Sequence, residues 1–297
     1  MASRSKRVLL TGADGFTGRY VVPALKDAGW DVYGLSQKAG ASDREIVADL
    51  LDAGSLAQAV NQLRPDAVIH LAAISFVGHS DSLDFYRVNM FGTMNLLAAI
   101  QDAGLSPQKI IIASSANVYG NPRFECIDEN VCPAPVNHYA MSKLAMEHMV
   151  RSHFERLNVL ITRPFNYTGV WQNKNFLVPK IVDHFRRGAS HIELGNLNVA
   201  RDFLDVRDVA AAYVRLLDSE PNSSVMNICS GEVVSLKQIL NMSEEIVGRS
   251  MEVRINPKFV RENEIKRLAG DNTRLKEQGW KRTYLFNETL RWMLTAE

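Results

Sequence analysis

A tyrosine and a lysine stand four residues apart in the segment YAMSK, as Tyr139 and Lys143. On a helix this spacing places both side chains on one face, about 6 Å apart along the axis. A free tyrosine has a pKa of about 10, which is too high for easy proton exchange at neutral pH. A neighbouring lysine cation favours the phenolate and is expected to lower that pKa. The pair therefore predicts proton transfer to or from a substrate oxygen while a hydride moves at the adjoining carbon.

A second group of polar side chains lies in the segment SSANVYG, from Ser114 to Gly120. The segment follows the apolar run KIIIA, which is typical of a buried strand. Ser115 supplies a hydroxyl there, whereas the next two residues are Ala116 and Asn117 and not acids. An amide has no useful acid–base behaviour near neutrality. The segment is therefore suited to hold an oxygen atom and lacks a carboxylate for further proton chemistry.

Three glycines recur at intervals of three in TGADGFTG, as Gly12, Gly15 and Gly18. They lie between the apolar run RVLL and a helix-like segment, where glycine permits a tight turn and a close approach of the backbone to a pyrophosphate. The spacing is G-x-x-G-x-x-G and not the more familiar G-x-G-x-x-G. Pro23 falls inside the helix that should follow, where proline usually kinks the axis. The loop predicts a dinucleotide-binding turn.

The type of dinucleotide depends on the end of the second strand, where NAD-binding folds often carry an acid for the ribose hydroxyls. Here the run DVYGLS ends at Ser36, followed by Gln37 and Lys38. A missing acid beside a cation favours NADPH, with NADH as the alternative if Lys38 is only a surface lysine. Asp49 lies beyond a loop and is expected either to contact the adenine or to cap a helix.

The elements that must position these residues alternate between strand-like and helix-like segments. Apolar runs at RVLLTG, DVYGLS, DAVIHLAA, QKIIIASS and NVLITRP are separated by helical patterns, including two long ones over 84–103 and 138–157. This alternation predicts a parallel sheet covered by helices on both faces, a Rossmann-type doubly wound α/β fold. After Pro164 the rhythm breaks. We expect a nucleotide-binding domain at 1–165 plus about 200–230, and a smaller C-terminal α/β substrate-binding region at 166–199 plus 231–297.

The composition excludes several other classes of protein. The chain has 297 residues, 46% of them hydrophobic, which is enough for a sizeable core, and a formal net charge of +1. That balance argues against a nucleic-acid partner. No apolar stretch approaches a membrane span or a signal peptide. The three cysteines form no C-x-x-C pair and are expected to be reduced thiols. We expect a soluble cytoplasmic protein without a membrane partner or a metal site.

The combination of these motifs is that of a known superfamily. A glycine loop, strand-end serines and Y-x-x-x-K, in this order, resemble the short-chain dehydrogenases/reductases. LTGADGFTG, HLAA, VNMFGTMNLL, SSANVYG, YAMSK and RPFNYTG resemble its extended branch, which acts on nucleotide-diphosphate sugars. LGNLNVARDFLDVRDVAAAYVRLL, MNICSG and VRENE resemble GDP-4-keto-6-deoxymannose reductases, which make GDP-rhamnose for cell-surface polysaccharide. The resemblance runs almost end to end and implies NAD(P)H as reductant and a 4-keto sugar nucleotide as substrate.

The resemblance also assigns roles to individual residues. Tyr139 becomes the acid, Lys143 its partner and Ser115 the hydroxyl that binds the C4 oxygen, while Asn89 matches a packing position. Glu193 and Asn196 are candidates for reading the base. The motifs and the resemblance together give cofactor-binding candidates Gly12, Gly15, Phe16, Thr17, Gly18, Ser36, Asp49, Leu50, Leu71, Ala72, Ala73, Tyr139 and Lys143. The substrate-binding candidates are Ser115, Asn117, Asn166, Arg201, Arg261 and Glu264.

Four activities compete for these residues. A reductase of a 4-keto-6-deoxy sugar nucleotide needs the triad and an exchangeable cofactor, and its product is of rhamnose or talose type according to how the sugar sits. A 4-epimerase would retain NAD. A 4,6-dehydratase needs an acid and a base beyond the tyrosine, and the resembled dehydratases carry acidic residues where Ala116 and Asn117 stand here. A sensor would bind the dinucleotide without turnover. The two long helices match those of a dimer interface in the resembled family, so a homodimer is expected.

Overall fold

A parallel sheet forms the centre of the computed structural model, which describes residues 5–38, 44–220, 223–260 and 265–296. Within these ranges the sheet contains seven strands, and their bounds are β1 (Arg7–Thr11), β2 (Asp31–Ser36), β3 (Glu45–Val47), β4 (Ala67–His70), β5 (Lys109–Ala113), β6 (Val159–Pro164) and β10 (Ser224–Ile228). The strands lie in the order β10-β6-β5-β4-β1-β2-β3, and every neighbouring pair is parallel. The chain order reverses between β1 and β4, which leaves a crevice at the carboxyl ends of the strands.

Helices cover both faces of this sheet, which confirms the predicted Rossmann-type α/β fold. The helices of one face are α1 (Gly18–Asp27) and α7 (Val206–Leu217), and those of the other are α2 (Ala53–Leu63), α4 (Gly92–Asp102) and α5 (His138–Arg151). Apart from the exposed edge strand β3, the strands are largely buried, and each face has its own apolar core. The near-continuous apolar runs in the sequence follow from this double burial.

Proline does not interrupt α1. The helix runs from Gly18 to Asp27 with Pro23 inside it, and Pro23 is exposed. Its missing N–H therefore belongs to the solvent side of the helix, while Val21 and Leu25 on the other side are buried. The expected kink has no consequence for the packing of α1 on the sheet.

The two long helices differ from their predicted bounds. The first is divided into α3 (Ser82–Tyr86), a π-helical turn over Arg87–Phe91, and α4. The second ends at Arg151, and the following residues to Leu157 form turns instead of a further helical stretch. The π-helical turn coincides with a contact to another segment, because the side chain of Asn89 inside it bonds both the N–H and the carbonyl of Ile74.

A smaller region is built on the carboxyl edge of the sheet. Its strands are β7 (Asn166–Thr168), β8 (His191–Leu194), β9 (Ala200–Asp205), β11 (Val233–Ser235), β12 (Glu252–Ile255) and β13 (Arg267–Leu268), and its helices are α6 (Leu177–Arg186), α8 (Leu236–Val247) and α10 (Phe286–Thr295). The short helix α9 (Thr273–Glu277) instead packs against β10, and its Leu275 belongs to the core of the large sheet. β9 pairs with β7, β11 and β13, and β12 pairs with β8. Because β7 begins two residues after β6 ends, this region starts at the carboxyl edge. Within the described ranges, no helix has both the length and the apolar character that a membrane crossing requires.

Candidate active site

The glycine loop is tightly packed between β1 and α1. Gly12 has φ +72°, and a Cβ there would lie 2.9 Å from the backbone nitrogen of Ala72. A Cβ on Gly18 would overlap the carbonyl oxygen of Gly12, so the start of α1 can approach the strand only with glycine at this position. Gly15 is exposed at the turn. Thr17 occupies the N-cap of α1 without capping it by its side chain, so the positive end of the helix remains available to an anion. These residues fit the diphosphate of a dinucleotide.

Two residues of this loop contact the strand that enters the smaller region. The Thr17 hydroxyl lies 2.7 Å from the phenolic oxygen of Tyr167. The ring of Phe16 stacks on that of Tyr167, with centroids 6.0 Å apart and planes 10° apart. Tyr167 follows directly after Asn166 in β7. The glycine loop and β7 are therefore joined by a hydrogen bond and a ring stack.

A chain of hydrogen bonds fixes the segment that follows β4. The N–H of Ala72 donates to Thr11 Oγ1 at 3.1 Å, Thr11 Oγ1 lies 2.7 Å from His70 Nδ1, and His70 Nε2 lies 2.9 Å from Thr93 Oγ1. The Thr93 hydroxyl donates its own proton to the carbonyl of Asn89, at 2.8 Å. His70 must then donate from Nε2 and accept at Nδ1, which makes the imidazole neutral. Burial, with a smaller effect of Lys143, lowers the His70 pKa to about 3.

The other cofactor candidates lie along the same crevice. Ser36 ends β2, where its hydroxyl accepts the N–H of Lys38 at 3.3 Å. The Asp49 carboxylate accepts the N–H of Leu51 at 2.9 Å, and the N-cap of α2 is Asp52 instead. Leu50 is buried, and its carbonyl accepts the amide of Asn95. Leu71 and Ala73 flank Ala72 in the segment after β4, and both are half-buried.

Ser115, Tyr139 and Lys143 meet at the carboxyl end of β5. Tyr139 and Lys143 lie one turn apart in α5 and are 7% and 4% exposed. The Lys143 ammonium donates to the carbonyl of Ala113, the last residue of β5, at 2.8 Å. Ser115 starts a short 3₁₀ turn, where its hydroxyl accepts the N–H of Asn117 at 3.2 Å, and the same hydroxyl acts to lower the pKa of Tyr139.

Burial controls the protonation of this group. It raises the pKa of Tyr139 to about 12, with the Ser115 hydrogen bond acting in the opposite direction. It lowers the pKa of Lys143 to about 8, while Glu147 acts to raise it. The prediction that Lys143 brings the Tyr139 pKa down is therefore wrong for the protein alone, because loss of solvation dominates. At neutral pH Tyr139 holds its proton and is an acid ready to donate it.

A cavity of about 980 Å³ opens beside this group, between the sheet edge and the smaller region. From the sheet side it is lined by residues adjoining the catalytic positions, among them Phe76, Asn117, Val136 and Asn137. From the smaller region it is lined by cationic side chains, which are Lys174, Lys180, Arg201 and Lys258. The cavity is thus neutral near the catalytic side chains and positively charged farther away.

The structure brings some of the substrate candidates into this cavity and not others. Asn117, Asn166 and Arg201 line it, and the Arg201 guanidinium donates to the carbonyls of Ala200 and Lys266. Arg261 and Glu264 lie outside the described residues. Of the candidates for base recognition, Asn196 lines the cavity, whereas the Glu193 carboxylate accepts the amide of Asn256 at 2.8 Å.

Sequence reasoning missed several lining residues. Lys180 on α6 donates to the carbonyl of Glu193 at 2.7 Å and lies 4.2 Å from the ring centre of Phe259. Phe76 and Phe176 meet edge to face across the cavity, with ring centroids 5.8 Å apart. No motif marked these residues, because each reaches the cavity from a different element. The only available signal was the lysine in the amphipathic run LVPKIVDHF, which carries a cation beside the buried face of α6.

Comparison with known proteins extends this description. A family described as GDP-mannose 4,6 dehydratase matches residues 9–293. The GDP-6-deoxy-D-talose 4-dehydrogenase of Aggregatibacter actinomycetemcomitans is 36% identical over 91% of this chain and 90% of its own length. The GDP-6-deoxy-D-mannose reductase of Pseudomonas aeruginosa is 33% identical over 98% of this chain and 97% of its own length.

A solved structure supports the same relationship. The structure of RMD from Pseudomonas aeruginosa complexed with NADPH superimposes with a TM-score of 0.86 at 32% identity, over 98% of both chains. The family match, the two relatives and this fold agree with one another and with a glycine loop that opens onto the crevice at the carboxyl ends of the strands. The chain belongs to the GDP-mannose 4,6 dehydratase family of short-chain dehydrogenases/reductases and is an NAD(P)-dependent sugar-nucleotide enzyme.

Proposed function

We propose that this protein reduces the C4 ketone of a nucleotide-diphosphate 4-keto-6-deoxyhexose with NADPH. The substrate is GDP-4-keto-6-deoxy-D-mannose and the product GDP-D-rhamnose, with GDP-6-deoxy-D-talose, its C4 epimer, as the second candidate product. The talose-type relative favours keeping this second product in view, because it is 36% identical to the chain and the mannose-type relative 33%.

One observation carries the choice of reduction over dehydration. Removing water across C5–C6 requires a carboxylate or another base beside the sugar, in addition to the tyrosine. Among the described residues that line the cavity, the carboxylate is Asp183, and it is paired with Lys174 at 2.5 Å and Arg187 at 3.4 Å. The positions after Ser115 hold Ala116, which is buried, and the amide of Asn117. Tyr139 is thus the acid available to protonate the C4 oxygen, and a ketone reduction requires one such proton.

The three catalytic candidates divide the reduction between them. A reduced nicotinamide, when bound through the glycine loop, would supply the hydride for the C4 carbon of the sugar. Tyr139 gives its phenolic proton to the oxygen at C4, and Ser115 donates a hydrogen bond to the same oxygen. The Lys143 ammonium then stabilises the phenolate that remains until solvent returns the proton. The two candidate products differ in the face of the ketone that is turned toward the hydride, so these roles are the same for both.

The charge distribution of the cavity supports a nucleotide-diphosphate sugar as substrate. Cationic side chains of Lys180 and Arg201 in the smaller region suit a diphosphate, since guanidinium and ammonium groups bind phosphate oxygens. The amides of Asn117, Asn137 and Asn166 suit the sugar hydroxyls. Phe76 and Val136 offer an apolar contact for the methyl group of a 6-deoxy sugar. For the cofactor, the serine and lysine at the end of β2 favour NADPH over NADH.

An exposed apolar stripe supports the proposal that the protein is a homodimer. Leu83, Phe91 and Met94 lie on α3, the π-helical turn and α4, at spacings of eight and three residues, and are 57%, 48% and 38% exposed. Met141 on the neighbouring α5 is 41% exposed. Exposed apolar side chains grouped on two packed helices mark an interaction surface. Light scattering should give twice the chain mass, and Phe91→Glu with Met141→Glu should give the monomer.

The decisive assay offers the purified protein GDP-4-keto-6-deoxymannose and its dTDP counterpart, each with NADPH or NADH. Absorbance at 340 nm should fall with the GDP sugar and NADPH, and proton NMR of the product identifies the configuration at C4. Tightly bound NAD, with no oxidation of added NADPH and with interconversion of C4 epimers, would instead establish a 4-epimerase.

A further inference from the structure

A fully buried ion pair lies beneath the catalytic strand end. Glu147 on α5 and Arg163 on β6 are 1% and 2% exposed. Two parallel hydrogen bonds join them, from Nε to Oε1 at 2.9 Å and from Nη2 to Oε2 at 2.6 Å. Neither side chain lines the substrate cavity, so neither is in a position to touch the sugar.

The Glu147 carboxylate also holds β5 at the point where the catalytic serine follows. The hydroxyl of Ser114 donates to Glu147 Oε1 at 2.6 Å. One turn earlier in the same helix, Lys143 donates to the carbonyl of Ala113 at 2.8 Å. Two consecutive residues of the strand end are thus bonded to two side chains of α5. Since Ser115 comes next, its distance from Tyr139 depends on both bonds.

The same carboxylate is the negative charge that faces Lys143. His70 on β4 is neutral, because it donates from one ring nitrogen and accepts at the other. Tyr139 is protonated, and the Arg163 guanidinium forms an ion pair with Glu147 itself. The other titratable groups around this part of the core include the phenols Tyr119, Tyr167 and Tyr213. Beyond Tyr119 lies a second carboxylate, Glu129, whose Oε1 accepts the N–H of Asn227 at 2.7 Å. Burial lowers the Lys143 pKa to about 8, and Glu147 acts against that lowering.

Stability alone gives a weak reason for such a pair. Buried ion pairs often contribute no more than apolar side chains of similar size, because both charges lose their hydration. Here, within the described part of the chain, Nη1 of Arg163 is buried without a hydrogen-bond partner. An apolar pair would avoid that cost and fill the same space. The contacts to Ser114 and the effect on Lys143 are what an apolar pair would not supply.

We infer that Glu147 is a positioning residue for the reduction, which aligns Ser115 through Ser114 and keeps Lys143 cationic at neutral pH. This inference rests on the roles proposed for Ser115, Tyr139 and Lys143. Arg163 supplies the counter-charge and the two hydrogen bonds that compensate for burying this carboxylate in the core.

The test compares the pH dependence of kcat for NADPH-driven reduction in Glu147→Gln and in the wild type. The wild-type rate should decline as pH rises through about 8, where Lys143 loses its proton. In Glu147→Gln this decline should begin about one pH unit lower or more, because the carboxylate no longer stabilises the cation. The double variant Glu147→Gln with Arg163→Met should behave in the same way and avoids leaving an unpaired guanidinium in the core.

The matched control is Asp205→Asn, which removes a buried carboxylate that is bonded to Arg207 at 2.7 Å, away from β5. It should lower the melting temperature and leave the pH of the decline unchanged. A second readout needs no substrate: NMR titration of the Lys143 Nζ resonance in ¹⁵N-lysine-labelled protein, assigned with Lys143→Met. A wild type that is inactive on the proposed sugar, with a Lys143 titration that moves in Glu147→Gln, defeats only the proposed substrate. An active wild type whose kcat profile and Lys143 titration are the same in the folded double variant overturns the inference.

Discussion

Acidification from pH 7 to pH 5 should destabilise this protein through a single buried histidine. His70 is 3% exposed and both of its ring nitrogens are bonded, to Thr11 and to Thr93. Protonation at Nδ1 would turn the acceptor of the Thr11 hydroxyl into a donor and would bury a charge. The folded-state pKa is accordingly lowered to about 3. Between that value and the unfolded value of about 6.5, the unfolded chain binds a proton that the folded chain refuses, so stability rises with pH across this window.

The size of the effect follows from the unfolded state alone. At pH 5 the folded imidazole is still neutral, because its pKa lies well below that pH. The loss between pH 7 and pH 5 is then the free energy of protonating a free histidine over the same interval, about 2 kcal/mol. The result would be the same for any folded-state pKa below about 4. Other groups also titrate in this interval, so the contribution of His70 must be isolated as a difference between two proteins.

The assay is urea denaturation at pH 5 and pH 7 of the wild type and of His70→Gln. Glutamine retains a nitrogen donor for Thr93 and has no titrating group. The variant is expected to be less stable at pH 7, since one hydrogen bond of the chain is lost. Its loss on acidification should nevertheless be about 2 kcal/mol smaller than that of the wild type. His191→Gln, which makes the same substitution at a partly exposed position on β8, serves as the control for the change of residue type. Equal pH dependence in His70→Gln and the wild type would show that His70 is protonated in the folded state, and the reasoning would fail.

Three further expectations concern the site itself. Tyr139→Phe should lower kcat about 10²–10⁴-fold, because it removes the proton donor. The dissociation constant of NADPH, measured by fluorescence, should stay within a factor of about two. A phenylalanine variant with wild-type activity would exclude Tyr139 as the acid. Thr17→Val and Tyr167→Phe should show a coupling energy of about 1 kcal/mol in a double-mutant cycle on NADPH affinity. Additive effects would mean that the 2.7 Å hydrogen bond between the Thr17 hydroxyl and the Tyr167 phenol does not form in solution. Arg201→Ala should raise KM for the sugar nucleotide about tenfold or more with little change in kcat, and a fall in kcat at unchanged KM would place Arg201 in the chemical step.

The fold was accessible from the sequence because its signals are local. Apolar runs mark the buried strands, and the segments between them carry helical periodicity. The predictions failed where a distant contact decides the local structure. Asn89 interrupts the predicted helix over 84–103 with a π-helical turn, since its side chain bonds the backbone of Ile74. Nothing in the run VNMFGTMNLL by itself announces that contact.

The sequence motifs predicted which side chains lie together in the site only where those side chains belong to one segment. Tyr139 and Lys143 share a helix, so their spacing alone predicts that they are adjacent. Their protonation was not predictable in the same way, because burial of the folded site raises the Tyr139 pKa to about 12 against the expected direction. Glu147, whose charge acts on Lys143 from one turn later in the same helix, is itself paired with Arg163 on β6, and only the topology brings Glu147 and Arg163 together.

These long-range contacts separate the parts of the site that can vary from those that are fixed. Glu147 holds the end of β5 through Ser114, and His70 holds the segment after β4 through Thr11. The glycine loop is bonded to β7 through Thr17 and Tyr167. We expect a change at any of these positions to shift the glycine loop or Ser115 relative to Tyr139. The cations of the cavity, such as Lys180, come from elements outside that network. We therefore expect substitutions that change the preferred sugar nucleotide to be tolerated best at the cationic end of the cavity. A side chain there can be replaced without altering the distances between Ser115, Tyr139 and the glycine loop.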